Sequence, residues 1–498
     1  MHISGLNLRK LERSPTHTKI EEKPPGDYVL IPLKDGFGSS LTPRVKAGDR
    51  VEVGQVIARD DDLISTPIHS SVSGTVLDVS LIDYVHEETL AELPDRIAGV
   101  RVEVGSSPQA PEGAEEKVNW EKLTPSEIRG ALYRNGVTAY GQTGIPSSHL
   151  SSFFGPSEVS NIIVNAVKSE PFTSHRVDFE REMAEFERGL EILARGYPEA
   201  AVHLAVDDET QKNLGGQSSS QRIGVHSISS EHPNGVSEIL AQRILGPDEL
   251  DSGGYMMDHG ILAIDEVVPL YVYRAVVFDR PTSKTRVSIG GPDVADVVFE
   301  VPVGFPIEEI VDEVRGHDPE DEVILGGPVT GRKMGSLEMP AGRTISSLVF
   351  MKGPEKSEVL SWIKPGLRKE SFSGAFLSTL FPSLTREVDS GLHGELRPCI
   401  SCGYCSDVCP VDILPYQIYH THTHEIVDEV NRLQPQRCVD CGLCSYVCPS
   451  KLPLSKVMGE AKRDQSTGVN NYVEYEKNKE RLAPSRPEGL SDNRGEVS

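Results

Sequence analysis

Two stretches decide how this chain reads: Cys399-Ile400-Ser401-Cys402-Gly403-Tyr404-Cys405-Ser406-Asp407-Val408-Cys409-Pro410 and Cys438-Val439-Asp440-Cys441-Gly442-Leu443-Cys444-Ser445-Tyr446-Val447-Cys448-Pro449. Both follow C-x2-C-x2-C-x3-C-P, and together they hold all eight cysteines of the 498-residue chain. This is the spacing of a 4Fe–4S ligand run. Three cysteines two residues apart wrap one loop around a cubane face, and the fourth points away to the neighbouring cluster. The spacing predicts one cluster on Cys399, Cys402, Cys405 and Cys448, and a second on Cys438, Cys441, Cys444 and Cys409. Structural zinc, the rival reading, uses two separated ligand pairs rather than four crowded cysteines followed by proline. A disulfide framework belongs to short secreted chains with their cysteines spread out.

The residues around the cysteines suit the same chemistry. Gly403 and Gly442 follow the second cysteine of each run, where a missing side chain lets backbone N–H groups approach the sulfides. Ile400, Tyr404, Val408, Val439, Leu443 and Val447 offer apolar cover against water. Between the runs, Pro415 followed by Ile418, Ile426, Val430 and Leu433 predicts that helix fills much of 411–437. His420, His422 and His424 fall inside it, and we read them as an exposed polar face rather than as metal ligands.

A chain of this length exceeds one hydrophobic core and predicts three to five domains. Its 75 acidic and 50 basic residues give a net charge of -25, which argues against nucleic-acid partners and against lying unaided on anionic lipid. The start, MHISGLNLRKLERSPTH, has no apolar run behind its basic residues. The most apolar stretch, 260–278, is interrupted by Asp265, Glu266, Pro269 and Arg274. It reads as two strands and predicts no direct membrane span.

The expected fold class is multidomain α/β and α+β. Residues 27–105 read as all-β, with YVLIPL, VEVGQVIA, SGTVLDVS and GVRVEV separated by turn residues. VKAGDRVEVGQVIA and HSSVSGTVLDV resemble the barrel-sandwich hybrid that carries biotin or lipoate. The modifiable lysine is absent from Thr66-Pro67-Ile68-His69, so the domain is expected to be unmodified and structural. Residues 121–250 alternate helix and strand as a layered, Rossmann-like α/β domain. In it, Pro125–Asn135 and His175–Arg195 are expected as helices, and NIIVNA and AVHLAVDD as strands. Residues 253–345 return to β, including YVYRAVVF, with a short helix at 306–314 and the loop LGGPVTG. A helical connector (354–389), a helical two-cluster ferredoxin domain (390–460) and a disordered polar tail (466–498) complete the reading.

At this point a family resemblance is visible. The cysteine module, with CSYVCPSKLPL, resembles the C subunit of the Rnf electron-transport complex. WIKPGLRKESFSGAFLSTLFP, DSGLHGELRP and PVDILPYQI resemble the A subunit of the Na+-translocating NADH:quinone oxidoreductase, Nqr, with cysteines added. SSEHPNG is similar to the His-Pro-x-Gly element of that group, and VILGGPVTG to the end of its β-grasp (SLBB-type) ligand-binding domain. The resemblance implies a peripheral subunit on the cytoplasmic side of a bacterial inner membrane, relaying electrons through two 4Fe–4S clusters. Its implied partners are the membrane subunits of an Nqr/Rnf-type complex, with a quinone as a compatible ligand. Alternatives are an Rnf-type ferredoxin:NAD oxidoreductase subunit, a soluble flavin/Fe–S NADH-dependent corrin reductase, and an assembly scaffold with structural clusters.

Relatives carry a GxGGxGFPT loop and an ECEP string that cradle flavin or nicotinamide phosphates. Here these read GVTAYGQTGIPSS (136–148) and NAVKSEPF (165–172). Gly141, Gly144, Pro146, Glu170 and Pro171 are retained; the adjacent glycine pair and the phenylalanine are not. Gly141, Gly144 and Glu170 are the candidate cofactor residues by resemblance. Side chains replace open backbone where a pyrophosphate would approach, so FMN and NADH are not expected on this chain. No catalytic residue is assigned.

Overall fold

The computed structural model describes residues 19–34, 41–60, 66–84, 95–106, 116, 118–138, 159–213, 222–246, 256–314, 318, 320–353, 398–450 and 452–468. Gly74–Tyr84 and Asp95–Val104 pair antiparallel along their whole length. Tyr28–Pro32 adds beside 95–104, and Arg50–Val51 beside 74–84. Val56–Ala58 and Ile68–His69 form a separate ribbon. Val29, Ile31, Val51, Ile57, Val76 and Val102 fill the space between. Thr66 and His69 are buried. A side chain at Gly136 would strike the Pro67 carbonyl at 2.9 Å. Burial pulls His69 down to about 4. This corner is anchored in the protein.

The next unit is a parallel sheet in the order Ile223–Ser227, Ala201–Val206, Asn161–Ala166, Ile261–Asp265. Its central strands Asn161–Ala166 and Ile261–Asp265 are buried almost throughout, as helices covering both sides require. Pro125–Arg134 begins at Thr124, whose side chain and that of Glu127 cap each other's backbone N–H groups. Met183–Gly196 lays Phe186, Leu190 and Leu193 against Val268–Val277 in one core.

Three sequence expectations fail here. YVYRAVVF is helical, not β: all of it but the capping Phe278 lies in Val268–Val277, where every residue but Arg274 is buried. Its β-branched and aromatic residues favour a strand locally, yet Pro269 suits a first helical turn and burial on every side hides any periodicity. The helix expected from His175 begins at Met183, because His175 and Arg176 are drawn into ion pairs described below. The sheet also runs past residue 250, since 261–265 pairs with 161–166.

A mixed six-stranded sheet follows, in the order Lys19–Glu22, Val297–Pro302, Lys284–Gly290, Ser347–Met351, Glu322–Leu325, Arg332–Lys333. The 19–22 strand thus leaves the barrel-sandwich segment to pair with 297–302. Ile82, Tyr84 and Ile97 share a core with Val287, Phe299 and Ile310, so the two β units are packed as one.

The cysteine module is helical throughout: Tyr404–Asp407, Pro415–Thr423, Val427–Arg432, Leu443–Tyr446 and Leu454–Gly468. The helix expected across 411–437 is broken at His424 and Glu425, where Glu425 takes a φ of 58°. The 454–468 helix runs into the start of the expected tail. The connector 354–389 and the tail beyond 468 lie outside the described residues. Among the described residues no helix is long and apolar enough to cross a membrane.

Phe186 is fully buried between the two α/β helices. Phe186→Ala is expected to cost about 3–5 kcal/mol. Thermal denaturation followed by circular dichroism should show this as a lowered midpoint, with iron content per folded chain unchanged.

Candidate metal centre

The two cysteine runs fold alike. In each, the residue before the second cysteine is left-handed, Ser401 at φ 53° and Asp440 at φ 52°. Its N–H donates to the first cysteine's Sγ at 3.4 Å. Gly403 and Gly442 then take φ of 83° and 73° and open a one-turn helix bearing the third cysteine. Further backbone groups reach the sulfurs: Tyr416 bonds Cys405, Val411 and Ile413 bond Cys409, and Leu443 bonds Cys441. N–H groups aimed at sulfur favour its anionic, metal-bound form.

Cysteines of the two runs lie close to one another. Burial pushes the Cys405 thiol up, and Cys448 and Cys402 push the same way. Burial carries Cys441 up to about 12, with Cys409 adding to it. Cys444 is raised by burial and then by Cys441, Cys409 and Cys405. Cys438 is raised by burial, with Cys444 and Cys441 contributing. Cys448 thus lies near Cys405 of the first run, and Cys409 near Cys441 and Cys444 of the second. Cysteine sulfurs that accept backbone N–H groups are soft donors of the kind that fits an iron–sulfur core. Among the described residues no group of His, Cys, Asp or Glu closes on a single-ion site.

The two sets differ in surroundings. Cys399 and Cys402 are exposed, and Ile400, expected as apolar cover, is 66% exposed. Val408, Val439, Leu443 and Val447 are buried as cover should be. The second run is packed against the body of the protein. Val236 and Ile239 share its core. Lys462 donates to the Cys438 carbonyl and the Asp440 carboxylate, both at 2.8 Å. His232 Nε2 lies 2.7 Å from the Cys441 carbonyl. A side chain on Gly442 would strike the Val329 carbonyl at 2.5 Å.

Val329 belongs to the LGGPVTG loop, and Glu170 holds that loop in place. Its carboxylate accepts the N–H of Val329 at 2.8 Å, the N–H of Thr330 at 3.2 Å and the Thr330 hydroxyl. Glu170, a candidate cofactor residue by resemblance, is thus engaged within the chain. Gly141, Gly144 and Pro146 lie outside the described residues. His420 and His424 stack with ring centroids 4.4 Å apart on an exposed face.

Sequence reasoning missed a charged cluster at the carboxyl ends of the parallel strands, the edge where open α/β sheets bind ligands. Lys168 follows 161–166, Asp207 follows 201–206, and Glu266 follows 261–265. Lys168 meets Glu266 at 2.9 Å. His175 bridges Glu266 at 2.6 Å and Asp207 at 3.1 Å, and Thr210 Oγ1 lies 2.9 Å from its Nε2. Arg176 pairs with Asp265. Nearby, Arg286 is clamped by Glu182 at 2.6 and 2.7 Å and Glu300 at 2.8 Å. Charged residues directly after apolar strand runs were the available signal.

Burial alone would lower His175, but Glu266 and Asp207 outweigh it and carry the imidazole up to about 9. Burial would raise Asp207, yet its bonds from His175 and the Thr210 N–H bring it down to about 2. A raised imidazole stabilises the fold fully below its ordinary value of about 6.5 and loses that contribution as pH rises through about 9. Denaturant titrations should show wild-type stability falling across that window, with a flatter profile for His175→Gln. Glu170→Gln leaves one loop N–H poorly accepted and is expected to cost about 1–3 kcal/mol in the same assay.

Comparison with known proteins places these features. Residues 3–94 match the family described as RnfC barrel sandwich hybrid domain, and residues 398–452 the 4Fe-4S dicluster domain. The C subunit of the ion-translocating oxidoreductase complex of Salmonella gallinarum is 24% identical over 422 residues, covering 83% of this chain and 56% of that protein. Its Citrobacter koseri counterpart is 23% identical, with 83% and 54% covered. The chain spans about half the length of the curated relatives it matches. An NAD+-reducing [NiFe]-hydrogenase in the H2-reduced state aligns at a TM-score of 0.39 and 14% identity, over 74% of this chain and 68% of that one. The chain joins an RnfC-type barrel sandwich to a 4Fe–4S dicluster domain and is related over most of its length to the C subunit of the ion-translocating oxidoreductase complex.

Proposed function

We propose that this chain is the peripheral electron-transfer subunit of a membrane-bound Nqr/Rnf-type complex. One cluster is held by Cys399, Cys402, Cys405 and Cys448, the other by Cys438, Cys441, Cys444 and Cys409. When bound, each cluster supplies reversible one-electron storage. The observation that carries this reading is the pair of like-folded cysteine runs, the first with Cys399 and Cys402 exposed and the second seated on the body. The exposed cysteines let a partner approach closely, while the second run is held by fixed protein donors. In this reading the parallel sheet is a Rossmann-like domain extending to about residue 277, and the six-stranded sheet a β-grasp domain of SLBB type. Sodium is the ion moved by partner subunits, NADH the donor and a quinone the acceptor, with this chain on the cytoplasmic face. Glu170 and Lys168 are both engaged internally, which favours nucleotide chemistry on a partner over a flavin here.

Anaerobically prepared chain should contain about eight iron atoms with matching sulfide. It should also copurify with membrane subunits after detergent solubilisation. The Cys402→Ala, Cys441→Ala double variant should lose quinone-reductase turnover in the assembled complex. Zinc in place of iron, or unchanged turnover in that variant, would overturn the proposal.

A further inference from the structure

The second cysteine run receives a side-chain hydrogen bond from far away in sequence. His232 is 1% exposed, and its Nε2 lies 2.7 Å from the Cys441 carbonyl. A carbonyl only accepts, so Nε2 carries the hydrogen. Nδ1 faces Ser169 Oγ at 3.3 Å and in this tautomer takes its hydroxyl hydrogen. The same oxygen accepts the Gly235 N–H at 3.2 Å, and the Asn165 amide donates to the Gly235 carbonyl at 2.8 Å. The ring is therefore held at both nitrogens, and the end of the 161–166 strand sets its position. One residue beyond Ser169, Glu170 fixes the loop whose Val329 carbonyl packs against Gly442. The segment 165–170 thus reaches Cys441-Gly442 from two directions.

We infer that His232 is a positioning residue that tunes the reduction potential of the cluster on Cys438, Cys441, Cys444 and Cys409, with Ser169 orienting its ring. The inference rests on the cluster assignment proposed above. Donation into the Cys441 carbonyl draws electron density from the peptide of a ligand residue. It stabilises the extra electron of the reduced cluster and raises the potential. The other set, with Cys399 and Cys402 in contact with water, serves as an internal reference.

The test is an EPR-monitored potentiometric titration of the full chain as wild type, His232→Leu, His232→Gln and Ser169→Ala. His232→Leu fills the space without a donor. It should weaken reduction of one cluster about three- to tenfold, a fall of about 30–60 mV at 59 mV per decade for one electron. The other midpoint should stay fixed. His232→Gln offers an amide donor and should restore most of the shift, and Ser169→Ala should move the same midpoint in the same direction by less. Two clusters with neither midpoint moving, both moving equally, or Gln behaving as Leu would each overturn the inference. If His232→Leu does not load iron, Ser169→Ala decides: one shifted midpoint supports the role and none refutes it. A wild-type chain without two clusters would instead refute the cluster assignment itself.

Discussion

Cys441 and Gly442 form the junction on which the architecture turns. The Cys441 carbonyl takes its hydrogen bond from the α/β body, and Gly442 lies against a loop of the mixed β-sheet. That loop stands where it does because one carboxylate, Glu170, accepts two consecutive backbone N–H groups and a hydroxyl. A charge-accepting site of this kind tolerates little displacement, since each freed N–H would be left without a partner. Gly327 completes the constraint: any side chain there would overlap the Glu170 carboxylate at 2.2 Å. Two units are thereby brought to one loop of the cysteine module, and the rest of that module follows from the chemistry of its sulfurs.

The carboxyl edge of the parallel sheet depends on a different balance. Lys168, His175, Asp207 and Glu266 interlock where an open α/β sheet ordinarily receives a ligand. Desolvating such charges offsets much of their mutual attraction, so the net stabilisation is smaller than the number of contacts suggests. Its effect here is to fix the segment from Lys168 to Arg176. Ser169 and Glu170, which hold His232 and the 329–330 loop against the cysteine module, lie inside that segment. The ionic network and the metal centre are therefore neighbours through the backbone.

The cysteine runs are legible in the sequence because coordination chemistry dictates their spacing whatever surrounds them. The strands at 161–166 and 201–206 are legible as short apolar runs bounded by polar residues. YVYRAVVF is not, because a segment buried on all sides carries no period, and its residues favour the wrong element. The 19–22 strand escapes notice because its partner lies nearly three hundred residues away. His232 is visible in SSEHPNG as part of a motif, but its acceptor is 209 residues distant and no local pattern announces it. Glu170 is a candidate ligand by likeness alone, and only the structure shows its carboxylate taken up by Val329 and Thr330.

The net charge of -25 gives these contacts a wider meaning. Each electron accepted by a cluster adds negative charge to an acidic protein, which the field of the whole chain disfavours. Around the exposed Cys399 and Cys402 the dielectric of water screens the added charge. The second run has fixed donors beside it. Lys462 stands 2.8 Å from the Cys438 carbonyl, and Asp440 beside it keeps that lysine charged against burial. His232 donates at Cys441, and backbone N–H groups point at the sulfurs of both sets. Preoriented donors need no rearrangement when the charge arrives, whereas solvent must reorganise. Similar ligand runs in one small module thus face two environments, and it is the body of the protein, through residues remote in sequence, that makes them different.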